Sequence, residues 1–235
     1  MPPRRPTAPV QGRHEFKHNV NRADYLALRA RLRAVLQPDA HALPDGEYLV
    51  RSLYFDTPDD RALRDKLDSL DRRDKWRLRH YGRTPEFIRL EKKSKVRGLC
   101  YKRAVRVTAE EVRRLQAGDT GWTSGDERDL VVELGHLMVT RHLRPKTIVE
   151  YTREPFTYPA GNVRVTLDRD LRTGYLARDL LADPATLATL PAGDGTVIVE
   201  VKYDQFIPGF IADLVRQPNR RATANSKYAL SRAFG

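Results

Sequence analysis

At least six segments of this chain alternate ionic and apolar side chains with a period of two, so each has one charged side and one apolar side. Successive residues of a strand point to opposite faces, and the parity of a charge therefore states which face it occupies. Arg13, Glu15 and Lys17 share a side, as do Lys75, Arg77 and Arg79; Arg89, Glu91 and Lys93; Lys102, Ala104 and Arg106; Arg164, Thr166 and Asp168; and Glu200 and Lys202. Their neighbours on the other side are often apolar: Phe16, Trp76, Leu78, Ile88, Leu90, Val105, Val163, Val165, Leu167, Val199 and Val201. One fold that satisfies this pattern is an open antiparallel sheet with its ionic face in water. The other is a closed barrel with its apolar face outward under helices and its ionic face turned inward. The regular mixing of Glu with Lys and Arg, and the Glu200-Val201-Lys202 step inside a hydrophobic run, favour the barrel.

The rest of the chain supplies helices to cover such a barrel, which makes the expected class α+β. Residues 1–12 are rich in Pro and Arg without periodicity and are expected to be a flexible basic tail ahead of one domain spanning 13–235. Asn19 or Asn21 can cap a helix on which Tyr25, Leu28, Leu32 and Val35 or Leu36 recur at helical spacing. Residues 48–55 read as a strand, and Asp56-Thr57-Pro58 ends it and starts a short helix through Leu67. Strands at 75–81, 87–93 and 100–107 follow, with Gly82 and Gly98 in the turns. Thr108 and Glu111 fit a capping box for a helix ending near Gly118, and a second helix is expected from about 127 to about 141. Further strands are expected at 147–153, 162–168 and 196–203, with a polar loop beginning at Leu167-Asp168. A connection of small residues and prolines spans 180–194, and a terminal helix runs from about 225 to about 234.

The 235 residues carry 43 Lys and Arg against 31 Asp and Glu, a formal charge of +12, with 40% hydrophobic residues. That hydrophobic content is enough for a real core and excludes disorder over the whole length. No apolar run approaches the roughly 20 residues of a bilayer-spanning helix, and the Arg4-Arg5 start is followed by no apolar stretch, so a cytoplasmic location is expected. The one cysteine, Cys100, forbids an intramolecular disulfide and is expected to be a buried structural thiol. His14, His18, His41, His80, His136 and His142 are scattered, with no Ser-His-Asp or Cys-His arrangement, and are read as surface or structural.

A basic interior calls for an anionic partner. Glu15, Glu91 and Glu200 among the cations would repel nucleic-acid phosphates, so no DNA or RNA is expected. Two readings of these glutamates stand: ion pairs with their neighbours, or ligands that bridge a divalent cation (Mg²⁺ or Mn²⁺) to a triphosphate.

In this order, Arg13-x-Glu15-x-Lys17, Ser52-Leu53-Tyr54-Phe55-Asp56-Thr57, Arg77-x-Arg79, Glu91-x-Lys93, Arg164-Val165-Thr166-Leu167-Asp168, Glu200-Val201-Lys202 and Ser226-Lys227-Tyr228 resemble the VTC domain of polyphosphate polymerases. That domain is one of the triphosphate tunnel metalloenzymes, related to CYTH phosphatases and cyclases. The resemblance implies an antiparallel eight-stranded barrel with helices outside. It also implies transfer of the terminal phosphate of ATP to a growing polyphosphate chain with release of ADP. By the same resemblance Arg77, Arg79, Lys93 and Arg164 would act at the transferred phosphate, and Lys17, Lys102, Arg153, Lys202 and Lys227 would hold substrate. Glu200, Glu15 and Glu91 would meet the metal. For residues 147–153 only one parity can face inward, and Arg153 is chosen over Glu150. Arg13 stands where the superfamily signature has a first glutamate, a departure shared with the polymerases rather than the hydrolases. The expected partners are ATP and polyphosphate, with room for docking onto a separate membrane protein. The alternatives are a tunnel-type inorganic or nucleoside triphosphatase, and a non-catalytic module binding polyphosphate or inositol phosphates.

Overall fold

The computed structural model describes residues 12–174, 177–183, 190–191, 195–216 and 226–232. The expected tail at 1–11, most of the 180–194 connection and both ends of the expected terminal helix lie outside the described residues.

Ten strands form one antiparallel sheet: β1 (His14–Val20), β2 (Gln37–Pro38), β3 (Tyr48–Asp56), β4 (Arg73–Tyr81), β5 (Ile88–Val96), β6 (Leu99–Val107), β7 (Arg144–Tyr158), β8 (Val163–Gly174), β9 (Leu190–Pro191) and β10 (Val197–Tyr203). The main path runs β1-β10-β8-β7-β3-β4-β5-β6, with β2 added beside β7 and β9 beside β8. The sheet curls until its two edges meet: Arg13 N donates to Cys100 O at 3.0 Å and Cys100 N donates to Arg13 O at 3.1 Å. Eight strands thus enclose an interior, as the parity pattern requires.

Helices α1 (Arg22–Val35), α2 (Arg61–Leu67), α3 (Ala109–Ala117), α4 (Asp129–Thr140), α5 (Gly209–Val215) and α6 (Lys227–Arg232) complete the fold. The outward apolar side chains pack beneath them in two clusters. Leu53, Phe55, Trp76, Leu78 and Leu90 meet Leu115 of α3 and Leu134 and Met138 of α4. Val163, Val165, Val199 and Val201 meet Leu28 and Leu32 of α1 and Ile211 and Val215 of α5. At about 1.5–3 kcal/mol for each fully buried large aliphatic or aromatic side chain, these contacts hold the ionic face inward against its desolvation cost. The short helix α6 is different, because Tyr228 packs with Tyr48, Val50, Tyr54, Val149 and Tyr151 on the inner side of the sheet. Among the described residues no helix is long and apolar enough to cross a membrane.

Local chemistry explains the element ends. Asn21 caps α1, its side-chain oxygen accepting from Asp24 N at 2.8 Å. The capping box at α3 is complete, with Thr108 N donating to Glu111 Oε2 at 2.7 Å and Glu111 N donating to Thr108 Oγ1 at 3.2 Å. Arg97 and Gly98 both take left-handed φ values, 48° and 80°, as a two-residue hairpin turn between β5 and β6 requires. Asp56 closes β3 and caps α2, accepting from Ala62 N at 2.8 Å, and it also accepts from Tyr228 Oη at 2.6 Å, tying α6 to both.

Two expectations are corrected and one helix is added. The polar run at Asp168-Arg169-Asp170 is not a loop: β8 continues to Gly174, and the left-handed Asp170 (φ 55°) lies where the β7–β8 register shifts, so the run is an irregularity within a strand. Cys100 is half-buried at the sheet seam rather than buried in the core. Helix α5 was not anticipated, although Ile211 and Val215 stand at helical spacing.

Candidate functional site: the barrel interior

The inward faces enclose a cavity of about 510 Å³, lined among the described residues by fourteen Lys and Arg side chains and two glutamates. Eleven of the twelve expected site residues line it: Lys17, Arg77, Arg79, Lys93, Lys102, Arg153, Arg164, Lys202, Lys227, Glu15 and Glu200. Glu91 does not. It has the right parity but is 0% exposed, lying behind the wall.

The strands β1 and β10 form a charge checkerboard, with Glu15 opposite Lys202 and Lys17 opposite Glu200. Lys93 Nζ reaches across from β5 to donate to both Glu15 oxygens at 2.6 and 2.9 Å, and Lys17 Nζ lies 3.2 Å from Glu15 Oε1. Lys202 Nζ lies 2.9 Å from Glu200 Oε1, and Arg153 Nη2 lies 3.5 Å from Glu200 Oε2. Burial and the proximity of Glu200 would raise the Glu15 carboxyl, but Lys93, Lys17 and Lys202 outweigh them and bring it down to about 2. Glu200 is likewise held well below the usual carboxylate range against burial, by Lys17 and Lys202 first. Both glutamates are therefore ionised, as a hard cation requires.

The second cluster centres on Asp168. Arg153 donates from Nε and Nη2 to its two oxygens, each at 2.7 Å, and Lys227 Nζ stands 2.6 Å from Oδ2. Burial opposes ionisation, yet Arg153 and Lys227 bring the carboxyl down to about 2. Choosing Arg153 over Glu150 for the inner face holds: Glu150 is turned to the other side, where Arg51 Nε donates to it at 2.7 Å.

The third cluster is the Arg77–Arg79 wall. Arg77 donates from Nε and Nη2 to Glu91 Oε2 at 2.7 and 2.6 Å and from Nη1 to Tyr54 Oη at 3.0 Å. Arg79 donates to Ser52 Oγ at 2.8 Å and to Tyr151 Oη at 3.2 Å, and Lys102 also pairs with Glu91. Glu91 is thus an anchor that sets the cations facing the cavity. Burial alone would raise the Tyr54 phenol, but Arg77 and Arg79 bring it down to about 8. Arg164 is fixed apart from these, donating to Tyr48 Oη at 2.8 Å and pairing with Asp39 Oδ2 at 2.9 Å.

Sequence reasoning missed several contributors. Asp168 and Lys75 share parity with expected site residues and were legible in principle. Lys75 donates to Ser226 Oγ at 2.7 Å, and burial, followed by Lys17 and Lys93, pushes its amine down to about 7. Lys66 reaches the cavity from α2 and Ser226 from the residue before α6, and neither had a periodic signal. No histidine lines the cavity.

Among the described residues Glu15 and Glu200 are the two carboxylates of the lining, and no group of three or more His, Cys, Asp or Glu side chains is placed to hold a metal. Two ionised carboxylates suit a hard divalent cation that takes its remaining ligands from substrate phosphates and water. They do not make a self-sufficient metal cage. The residues fit Mg²⁺ or Mn²⁺ on that basis.

The family model described as the VTC domain matches residues 12–234. Solved structures with a related fold include the PH1012 protein of Pyrococcus horikoshii, 13% identical, with a TM-score of 0.50 over 93% of this chain and 98% of that one. The PH1819 protein of the same organism is 12% identical, with a TM-score of 0.48 over 93% and 97%. A Bacillus halodurans protein described provisionally as an adenylate cyclase is 14% identical, with a TM-score of 0.49 over 82% and 80%. At these identities the likeness concerns the fold alone. No curated protein matches the chain in sequence.

Proposed function

Because this chain belongs to the VTC-domain family, within the tunnel-fold superfamily, we propose that it is a polyphosphate polymerase that moves the γ-phosphate of ATP onto a polyphosphate chain and releases ADP. The observation that carries the reading is the cavity with fourteen Lys and Arg side chains against two glutamates among the described residues. At 4 Å a charge pair is worth about 4 kcal/mol at an effective dielectric near 20, against about 1 in water, so an enclosed set of cations attracts a polyanion far more strongly than a solvated face would.

In the proposed reaction a terminal phosphate oxygen of the chain attacks the γ-phosphorus. A new oxygen–phosphorus bond forms, the bond from the γ-phosphorus to the β–γ bridging oxygen breaks, and ADP leaves with that oxygen. The attacking oxygen is already ionised and needs no general base, consistent with a cavity free of histidine. Phosphoryl transfer needs positioning and charge neutralisation above all. Arg77 and Arg79, their forks fixed by Glu91, Tyr54, Ser52 and Tyr151, would face the transferred phosphate with Lys93 and Arg164. Lys17, Lys102, Arg153, Lys202 and Lys227 would hold the flanking phosphates, and Asp168 and Glu91 would serve as positioning residues. Glu15 and Glu200 would hold Mg²⁺ or Mn²⁺ together with substrate oxygens. When bound, the cation neutralises charge developing on the phosphates. Use of ATP fits a cytoplasmic protein.

The test is incubation of the purified protein with ATP and Mn²⁺, following ADP, orthophosphate and polymer on one gel. A polyphosphate ladder with matching ADP is expected. Orthophosphate without polymer would make the protein a tunnel-type triphosphatase, and tight triphosphate binding without turnover would make it a receptor.

A further inference from the structure

The inward-facing row of β4, β5 and β6 does not stop at the cavity. Register sets Arg79 opposite Arg89, and Arg89 opposite Arg106. Arg79 is buried and lines the cavity, Arg89 is half-buried and Arg106 is exposed, so the three arginines run from the interior to the rim. Like charges directly opposite one another weaken a strand pair. Here the cost is met twice in succession. Phe87, at the start of the same rim, offsets part of it: the Arg89 guanidinium carbon lies 4.7 Å and that of Arg106 5.0 Å from the Phe87 ring centroid.

These two arginines lack a counter-charge. Arg77, Lys93 and Lys102 on the same face each pair with a glutamate. Among the described residues neither Arg89 nor Arg106 has a carboxylate within ion-pair distance, and Glu86, next to Phe87 in the chain, accepts instead from Thr84 Oγ1 at 3.4 Å. Two planar forks, braced on one ring and left without an acid, match the bidentate geometry of phosphate oxygens.

We propose that Arg89 and Arg106, braced by Phe87, form an anion-binding step at the rim of the barrel that holds phosphate units of a chain extending beyond the cavity. This rests on the reading of the cavity as a polyphosphate site. The rim step makes affinity grow with chain length after the cavity itself is full.

The test compares tripolyphosphate with a long-chain polyphosphate, without ATP or metal, on the full chain and on the double variant Arg89→Gln/Arg106→Gln. Unvaried protein should bind the long chain more tightly than tripolyphosphate. The double variant should lose about tenfold in affinity for the long chain, keep its tripolyphosphate affinity within about twofold, and show a salt slope for the long chain lower by about one per arginine. Phe87→Ala, at an exposed position, should lose part of the same length dependence. Equal weakening for both ligands, or no change for either, would overturn the rim step while the cavity reading stands. Failure of the unvaried protein to bind either ligand would overturn both.

Discussion

Arg153 and Asp168 stand opposite each other across the β7–β8 pair and are joined by two parallel hydrogen bonds of 2.7 Å, while the same carboxylate takes Lys227 Nζ at 2.6 Å. One buried acid therefore aims two cavity cations and ties α6 to the barrel. Asp168→Ala removes the 2.6 Å partner of Lys227 and leaves Arg153 only Glu200 at 3.5 Å, and should cost about 3–5 kcal/mol in urea denaturation. Tripolyphosphate should then stabilise the variant more than it stabilises the unvaried protein, because it supplies the missing negative charge. Equal stabilisation would count against this role.

Glu200→Gln and Glu91→Gln should separate two functions of glutamate. The first removes a cavity carboxylate, so Mn²⁺-dependent turnover should fall to background while tripolyphosphate binding without metal is retained. The second removes an anchor from behind the wall, so Mn²⁺ affinity, read by electron paramagnetic resonance, should hold. Turnover should still drop by about 100-fold as Arg77 loses its fixed orientation. Full turnover in Glu200→Gln would remove it from the cation site.

Arg77→Lys should fail as a conservative change. Arg77 makes bonds from three of its nitrogens to Glu91 and Tyr54, and a lysine cannot reproduce that fork. Turnover should fall by about 100-fold or more with circular dichroism unchanged; a variant within twofold of the unvaried enzyme would show that orientation at this position is unimportant.

Protons should enter with the anion. Burial and neighbouring cations bring Lys75 down to about 7, and burial brings Lys202 down to about 8 although Glu200 and Glu15 oppose it; the ordinary value is 10.5. Between those values and 10.5 the unfolded chain binds more protons than the folded one, so these two groups make stability rise with pH across that window. A bound polyphosphate favours the charged amines. Calorimetry of tripolyphosphate binding near pH 8, in two buffers of different ionisation heat, should show net proton uptake that shrinks in Lys75→Met. Uptake unchanged in that variant would assign the protons elsewhere.

Gly135→Ala tests the outer packing. Alanine favours a helix over glycine by about 1 kcal/mol. In α4, however, a Cβ at residue 135 would run into Thr123 Oγ1 and lie 2.6 Å from Thr123 Cβ. A net loss of about 1–3 kcal/mol is expected in thermal unfolding, and a gain would show that Thr123 moves aside freely.

The period of two belongs to the strand backbone itself, so sequence alone determined which side chains share a face, and with that nine of the lining residues; Arg153 and Lys227 were named through the family resemblance. Asn21, the Thr108–Glu111 box and the Arg97-Gly98 turn were legible for the same reason, because each is satisfied within a few residues of itself. Parity could not say how deep an inward side chain lies. Glu91 and Asp168 both face inward, and only the side chains of adjoining strands decide that Arg77, Arg79 and Lys102 close over Glu91 and that Arg153 and Lys227 converge on Asp168. The seam between Arg13 and Cys100, and the entry of Lys66 and Lys227 from helices, likewise join positions far apart in the chain. Those contacts follow from how the sheet curls and which helix meets its open end, and they exist only once the barrel has closed.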